Sequence, residues 1–241
     1  MIDFLSYSID ELSSWRAILA AFIAWSLFYF SLRNVLQEKS PEYISRIVAG
    51  THGLVMAYFG CNECFGDWKF SRSEQVTTSL QTLILLASLG YFIEDTVWCF
   101  YYQTESPLML AHHCFSCFAI YRLLIMRKSG GQSTCALGVL ELSNPCLQTR
   151  WFVRYHGYQK TTTFYVIEFI FIVSFLILRV FLGTHYLVYI IAQPNTFEFR
   201  ALATTIYIIS WMFVINIVKY VQYKYLTVQP QPNNGIQTTF T

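Results

Sequence analysis

The chain of 241 residues is 55% hydrophobic and 18% aromatic, and only 12% of its residues are charged. Soluble domains contain about 25% charged residues, so this composition excludes an ordinary water-soluble domain. The formal net charge of +2 gives no electrostatic support for a nucleic-acid partner, and we expect none.

The apolar residues form long blocks, and about 20 such residues are needed for one helix to cross the hydrocarbon core of a bilayer. The second and fifth blocks are the weakest because they contain residues that lipid would reject. Gly183 in the long sixth block predicts a helix end or a kink. The sequence therefore predicts an all-α polytopic transmembrane helix bundle of six to seven spans, with candidate helices at about residues 15–32, 44–60, 76–92, 107–126, 134–153, 164–191 and 201–223.

The sequence divides into three predicted parts. Residues 1–39 hold an N-terminal segment with the first transmembrane helix, and residues 40–225 form one integral membrane domain. Residues 226–241 contain the run "QPQPNNG". Such a polar, proline-interrupted segment cannot bury enough apolar surface to fold, so we predict a disordered tail.

The orientation in the membrane has only a weak signal. For seven spans, Lys and Arg are almost equally numerous on the two sides, so the positive-inside rule does not decide between them. Acidic residues precede the first span, whereas Arg33 and Lys39 follow it. This asymmetry favours an N-terminus outside the cytosol and a cytosolic C-terminal tail.

The seven cysteines are scattered in or beside apolar blocks, at positions 61, 64, 99, 114, 117, 135 and 146. Buried cysteine often behaves as a small apolar side chain. We therefore predict that these residues fill space in the membrane and do not form a disulfide framework.

Polar side chains recur inside the predicted spans, where one ionisable group costs about 2.5–3.5 kcal/mol at the bilayer centre. Such groups face a bundle interior or water, so we predict that they converge on one lipid-accessible polar cavity. The simplest alternative is that they only form hydrogen bonds between helices, each worth about 0.6 kcal/mol. The predicted site residues are His52, Asp95, His112, His113, Glu141, Asn144, Gln148 and Arg179.

Helical spacing refines this prediction. Glu141, Asn144 and Gln148 follow the spacing i, i+3 and i+7, which places them in one polar stripe of the fifth helix. Pro145 beside them removes a backbone donor, which is tolerated at membrane depth only next to protein or water. Adjacent residues differ by about 100° around a helix. His112 and His113 therefore cannot point the same way, and one can face a cavity while the other contacts a neighbouring helix.

Five motifs occur in a distinctive order along the chain. They are "RIVAGTHGL" (46–54), "GYFIEDTVW" (90–98), "LAHHCFSCFAIYR" (110–122), "ELSNPCLQTRWF" (141–152) and "NIVKY" (216–220). In this order, over about residues 40 to 225, the sequence resembles the TLC-domain family, which includes the ceramide synthases and the translocating-chain-associating membrane protein. The family implies six or seven transmembrane helices around a lipid-accessible cavity.

The resemblance implies catalytic roles for His112, His113 and Asp95, because adjacent histidines lie in the reaction chamber of the ceramide synthases. It also implies membrane lipids as partners, acyl-CoA as a substrate, no bound cofactor, and the endoplasmic reticulum in preference to the plasma membrane. This chain departs from the synthases at "LELSNP", where a further His-Asp pair is missing. Glu141 can replace one acid there, whereas Asn144 cannot ionise.

Three functions are compatible with these residues. The first is lipid handling with acyl transfer at the histidine pair, and the second is non-enzymatic lipid binding or regulation of membrane composition. The third is a metal or haem protein, with ligands from "CNEC" (61–64) and "HHCFSC" (112–117) or from His52. Integral-membrane desaturases use about eight histidines, and this chain has five, so we predict no metal. The sequence does not indicate an oligomeric state.

Overall fold

The computed structural model describes residues 15–65 and 75–227. The predicted tail therefore lies, from residue 228 onward, outside the described residues. We number the helices α1 (Trp15–Val35), α2 (Pro41–Phe65), α3 (Ser79–Tyr102), α4 (Pro107–Met126), α5 (Gly130–Glu141), α6 (Asn144–Tyr155), α7 (Thr162–Ala192) and α8 (Phe197–Leu226).

The described residues form a helix bundle without any β-strand, and their one β-bridge joins Val76 to Lys128. Within residues 15–65 and 75–227, five helices are long and apolar enough to cross a membrane, namely α1, α3, α4, α7 and α8. The helix α2 and the pair α5–α6 correspond to the two weakest predicted spans, and α2 packs against α5 and α6. The prediction of an all-α transmembrane bundle is confirmed.

Contacts near the helix ends show that these ends lie on two opposite faces of the bundle. On the first, which we call the Asn195 face, Gln81 Nε2 donates to Glu63 Oε2 at 2.7 Å, and Ser129 Oγ lies 3.5 Å from Asn195 Oδ1. On the opposite face, the Arg46 face, Arg46 Nη2 donates to Glu105 Oε1 at 2.8 Å. With α5 and α6 taken together, the chain alternates between the two faces in seven passes.

Side-chain caps start several helices at these faces. Thr78, Ser106, Thr161 and Thr196 each accept the backbone N–H three residues later, at the starts of α3, α4, α7 and α8. An N-cap satisfies one of the free backbone donors of the first turn and contributes about 1 kcal/mol. The caps therefore fix the residues at which these four helices begin.

The predicted fifth span, 134–153, is interrupted at Leu142 and Ser143. Pro145 has no N–H to donate to the carbonyl of Glu141, so the helix cannot continue unbroken through this point. The prediction of a single helix there was wrong, because the segment forms two helices, α5 and α6, of 12 residues each. In α7 the helix does not end at Gly183, and a π-helical segment, Ile177–Leu182, precedes that residue.

A disulfide bond joins Cys64 of α2 to Cys135 of α5, with the Cα atoms 5.0 Å apart. The prediction that the cysteines are only apolar space-fillers was wrong for this pair, and the other five cysteines are free. Gly60 and Gly138 explain the pairing. A Cβ on Gly138 would lie 2.5 Å from the carbonyl carbon of Gly60, so the two backbones meet with no side chain between them.

We predict that Gly138→Ala destabilises the bundle, because its methyl group has no space against α2. Overpacking of this kind costs about 1–3 kcal/mol. The melting temperature of the purified protein in detergent should fall. Gly183→Ala is the matched control, since a Cβ there meets its nearest atom at an ordinary 3.4 Å. Equal melting temperatures for the two variants would contradict the backbone contact.

The disulfide also bears on orientation. Cys64 lies at the end of α2 and Cys135 near the start of α5, so both lie towards the Asn195 face. Disulfides persist in oxidising compartments, and we therefore expect this face to be lumenal or extracellular. A tag placed after Gly235 should then be digested when protease is added to sealed microsomes, whereas an N-terminal tag should be protected. The opposite pattern would reverse the orientation.

Candidate functional site

A cavity of about 300 Å³ lies between α4, α5, α7 and α8. Most of its lining is apolar. The polar side chains that border it from these four helices are His112, Ser116, Ser133, Glu141, Arg179, His185, Tyr186, Tyr207 and Ser210. An apolar pocket with a few convergent polar groups is the usual form of a small-molecule site.

The two adjacent histidines have different surroundings. His112 borders the cavity, its ring is edge-on to Phe213 at 5.6 Å, and its buried Nδ1 has no hydrogen-bond partner. His113 is buried and turns towards α3, where its Nδ1 lies 3.2 Å from Asp95 Oδ2. The divergence follows from the rotation of about 100° between neighbouring helix positions. Of the pair, His112 is the histidine that can meet a ligand in the cavity.

Asp95 belongs to a polar stripe of α3 that faces α2. The Tyr91 hydroxyl donates to Asp95 Oδ2 at 3.2 Å, and the Tyr91 ring stacks on His52 with the ring centres 3.9 Å apart. His52 is 0% exposed, and its Nε2 lies 3.3 Å from Ser88 Oγ. Ser88, Tyr91 and Asp95 follow the spacing i, i+3 and i+7, which aligns them along one helix face.

Glu141 connects this stripe to the cavity. Its Oε2 accepts a hydrogen bond from Asn144 Nδ2 at 3.0 Å and lies 3.7 Å from His52 Nδ1. Asn144 Nδ2 also donates to the carbonyl of Ala49 at 3.3 Å, and Gln148 Nε2 donates to Asn144 Oδ1 at 2.8 Å. One carboxylate therefore borders the cavity and also binds the polar groups behind it.

The predicted set therefore divides into two groups. His112, Glu141 and Arg179 border the cavity. The other predicted site residues do not line it and lie behind it, among α2, α3, α4 and α6. His52, Asn144 and Gln148, which were predicted to line a lipid cavity, and the predicted catalytic residues Asp95 and His113 are not in the lining of this cavity, and their roles stay predictions.

The position of Asn144 and Gln148 against α2 has a steric cause. Gly50 and Gly53 of α2 leave room for the fifth span, so that a Cβ on Gly53 would lie 3.0 Å from Asn144 and one on Gly50 would lie 3.6 Å from Gln148. The polar stripe of α6 therefore packs against α2. The sequence showed that this stripe is polar, but the helix that it faces depends on these two glycines.

The hydrogen-bond partners of Arg179 are neutral, and Glu141 interacts with it only electrostatically, from beyond ion-pair distance. Its Nη1 donates to Ser210 Oγ at 2.9 Å, its Nη2 donates to the carbonyl of Leu140 at 3.3 Å, and its buried Nε has no hydrogen-bond partner. In the described part of the chain, no carboxylate oxygen lies within 4.0 Å of the guanidinium nitrogens. The Leu140 carbonyl lies next to the break between α5 and α6.

The segments considered for metal binding do not assemble. Cys64 of "CNEC" is in the disulfide, and His52 stacks on Tyr91. A different trio, Asp95, Cys99 and His113, offers donor atoms within 4.8 Å of one another. These residue types can bind zinc, but the Asp95 carboxylate already accepts the Tyr91 hydrogen bond and lies against His113.

A second polar cluster, at the Arg46 face, was not predicted. Glu168 is 0% exposed and accepts hydrogen bonds from Arg150 at 2.8 Å and from Tyr220 at 2.6 Å, as well as from Lys224 and Tyr225. It joins α6 and α7 to the end of α8. Tyr220 and Lys224 are four residues apart, and this spacing was the available signal.

Comparison with family models identifies the fold of most of the chain. A model described as the TLC domain matches residues 37–226. The matched region starts just before α2 and ends with α8. It includes every residue of the cavity and of the Glu168 cluster.

We predict that Glu168→Ala strongly destabilises the bundle, because it leaves Arg150 and Lys224 without their carboxylate. Breaking a buried ion pair costs about 3–5 kcal/mol. The melting temperature in detergent should fall by several degrees. The control is Glu198→Ala. Glu198 forms an ion pair with Arg122, and this pair is solvent-exposed, because 39% of the Glu198 side chain and 35% of the Arg122 side chain are accessible. Equal losses would contradict a structural role for the Glu168 cluster.

Proposed function

The chain belongs to the TLC-domain family, and from that premise we propose that it handles membrane lipids in an intramembrane chamber, with His112 as the side chain that contacts the lipid. One observation carries this proposal. His112 borders the cavity with a buried nitrogen that has no partner, while His113 beside it lies against Asp95.

Within the family, the motif order most resembles TLC domain-containing protein 5, also called transmembrane protein 136. This resemblance supports a role in membrane lipid composition, including sphingolipid homeostasis, and a location in the endoplasmic reticulum. In this proposal the ligands are membrane lipids, and no bound cofactor takes part.

Acyl transfer is the second candidate, supported by the position of the adjacent histidines. A neutral imidazole can attack the thioester carbonyl of acyl-CoA, so that an acyl–nitrogen bond forms and coenzyme A leaves as a thiol after protonation. An acceptor amine or hydroxyl then takes the acyl group and releases the imidazole. Acyl-CoA is the acyl donor in this candidate, and His112 is the nucleophile.

The orientation of the histidines favours lipid contact over acyl transfer. A catalytic base is usually oriented by a carboxylate on its second nitrogen. In this chain the carboxylates lie beside other histidines, since Asp95 is next to His113 and Glu141 is next to His52. The Nδ1 of His112 has no such partner. Non-enzymatic lipid binding therefore needs fewer additional assumptions.

We expect the two histidine variants to behave differently in cells that lack the endogenous protein. His112→Ala should be as abundant as wild type but should fail to restore the lipid profile in untargeted lipidomics. His113→Ala should lose protein, because Asp95 is left buried without its neighbour, at a cost of about 1–3 kcal/mol.

The exposed His156 at the Arg46 face provides the control, and His156→Ala should rescue fully. Full rescue by His112→Ala would overturn the proposal. Release of coenzyme A thiol from palmitoyl-CoA separates the two candidates. Release by wild type but not by His112→Asn supports acyl transfer, and no release by either leaves lipid binding.

A further inference from the structure

We propose that the cavity selects a single-chain lipid with a negatively charged head group, a carboxylate or a phosphate monoester, which Arg179 binds together with His112. This inference rests on the proposed function and adds the class of ligand. It starts from the environment of one arginine.

Arg179 has no countercharge in contact with it. A guanidinium inside a membrane is costly unless it is paired or faces a polar cavity. The partners of Arg179 are neutral, namely the Ser210 hydroxyl and the Leu140 carbonyl. The other arginines that form ion pairs, Arg46, Arg122 and Arg150, each contact a glutamate. Glu141 interacts with Arg179 electrostatically from beyond ion-pair distance, and an anionic group in the cavity would supply the direct ion pair that Glu141 does not form.

The guanidinium is held in place before any ligand arrives. Two of its nitrogens are fixed by hydrogen bonds, and its central carbon lies 5.1 Å from the ring centre of Phe175. Its Nε remains a buried donor without an acceptor. A planar guanidinium matches carboxylate and phosphate oxygens well, so the Arg179 side chain in the cavity lining suits an oxyanion.

Glu141 is the one acidic side chain in the cavity lining, and its Oε2 has partners outside that lining. Its Oε2 accepts from Asn144 and lies near His52, both on the side away from the cavity. The polar end of the cavity is therefore lined by Arg179 and His112. This arrangement favours a negative head group over a positive one.

The remaining cavity fits a hydrocarbon chain. Its lining runs from Arg179 towards the Asn195 face through Leu178, Ile190, Phe199 and Leu202. Ligand sites have volumes of about 300–1,000 Å³, and this cavity is at the lower limit, with about 300 Å³. That volume favours one chain over the two chains of a bilayer lipid.

The test compares three probes of equal chain length, palmitate, hexadecyl phosphate and hexadecanol, as competitors for radiolabelled palmitate on the purified full-length protein in detergent. We expect at least one anionic probe to compete about tenfold better than hexadecanol. If only palmitate competes better than hexadecanol, the ligand is a fatty acid. If only hexadecyl phosphate does so, and it also raises the melting temperature more, the ligand is a phosphate lipid. Either preference supports the inference.

Arg179→Gln should remove the preference, and Arg122→Gln, which alters an ion pair outside the cavity, should keep it. If Arg179→Gln does not fold, the comparison of probes on wild type still decides. Equal binding of hexadecanol and the anionic probes overturns charge selection and leaves lipid binding intact. If none of the three probes binds, the proposed function fails as well.

Discussion

The direct backbone contact between α2 and α5 is the constraint on which the site depends. Gly60 and Gly138 allow it, because a Cβ on either residue would lie less than 3 Å from backbone atoms of the other helix. This approach brings Cys64 to Cys135 and His52 to Glu141. Helices in a membrane lack a hydrophobic driving force for association, so small residues and polar contacts must provide it. Here both are concentrated between the same two helices.

The polar residues at membrane depth consequently have two separate tasks. Behind the cavity, His113 Nδ1 lies 3.2 Å from Asp95 Oδ2 and His52 Nδ1 lies 3.7 Å from Glu141 Oε2, so each of these histidines has a carboxylate beside it. Among the predicted site residues that line the cavity, only His112 and Arg179 have a buried nitrogen without a hydrogen-bond partner. The structural and ligand-binding explanations of the sequence are therefore both needed, and they apply to different members of the same motifs.

Features set by a single helix could be predicted from the sequence, whereas features set by helix rotation could not. The apolar blocks gave the spans, and the 100° step between neighbours gave the divergence of His112 and His113. Nothing local determines that Cys64 meets Cys135 across a separation of 71 residues. The direction of Asn144 depends on Gly53, and the partners of Glu168 come from distant parts of the chain. Each of these contacts needs the orientation of two helices.

The polar end of the cavity lies where two irregular stretches of backbone meet. One is the break at Leu142 and Ser143, and the other is the π-helical segment that contains Arg179. Irregular backbone at membrane depth persists only where protein or a cavity satisfies its polar groups, and π-helical turns are frequent at functional sites. The hydrogen bond from Arg179 to the Leu140 carbonyl joins the two stretches. The same bond therefore stabilises the helix break and fixes the cation at the cavity, so the interruption of the fifth span and the ligand-binding chemistry have one structural origin.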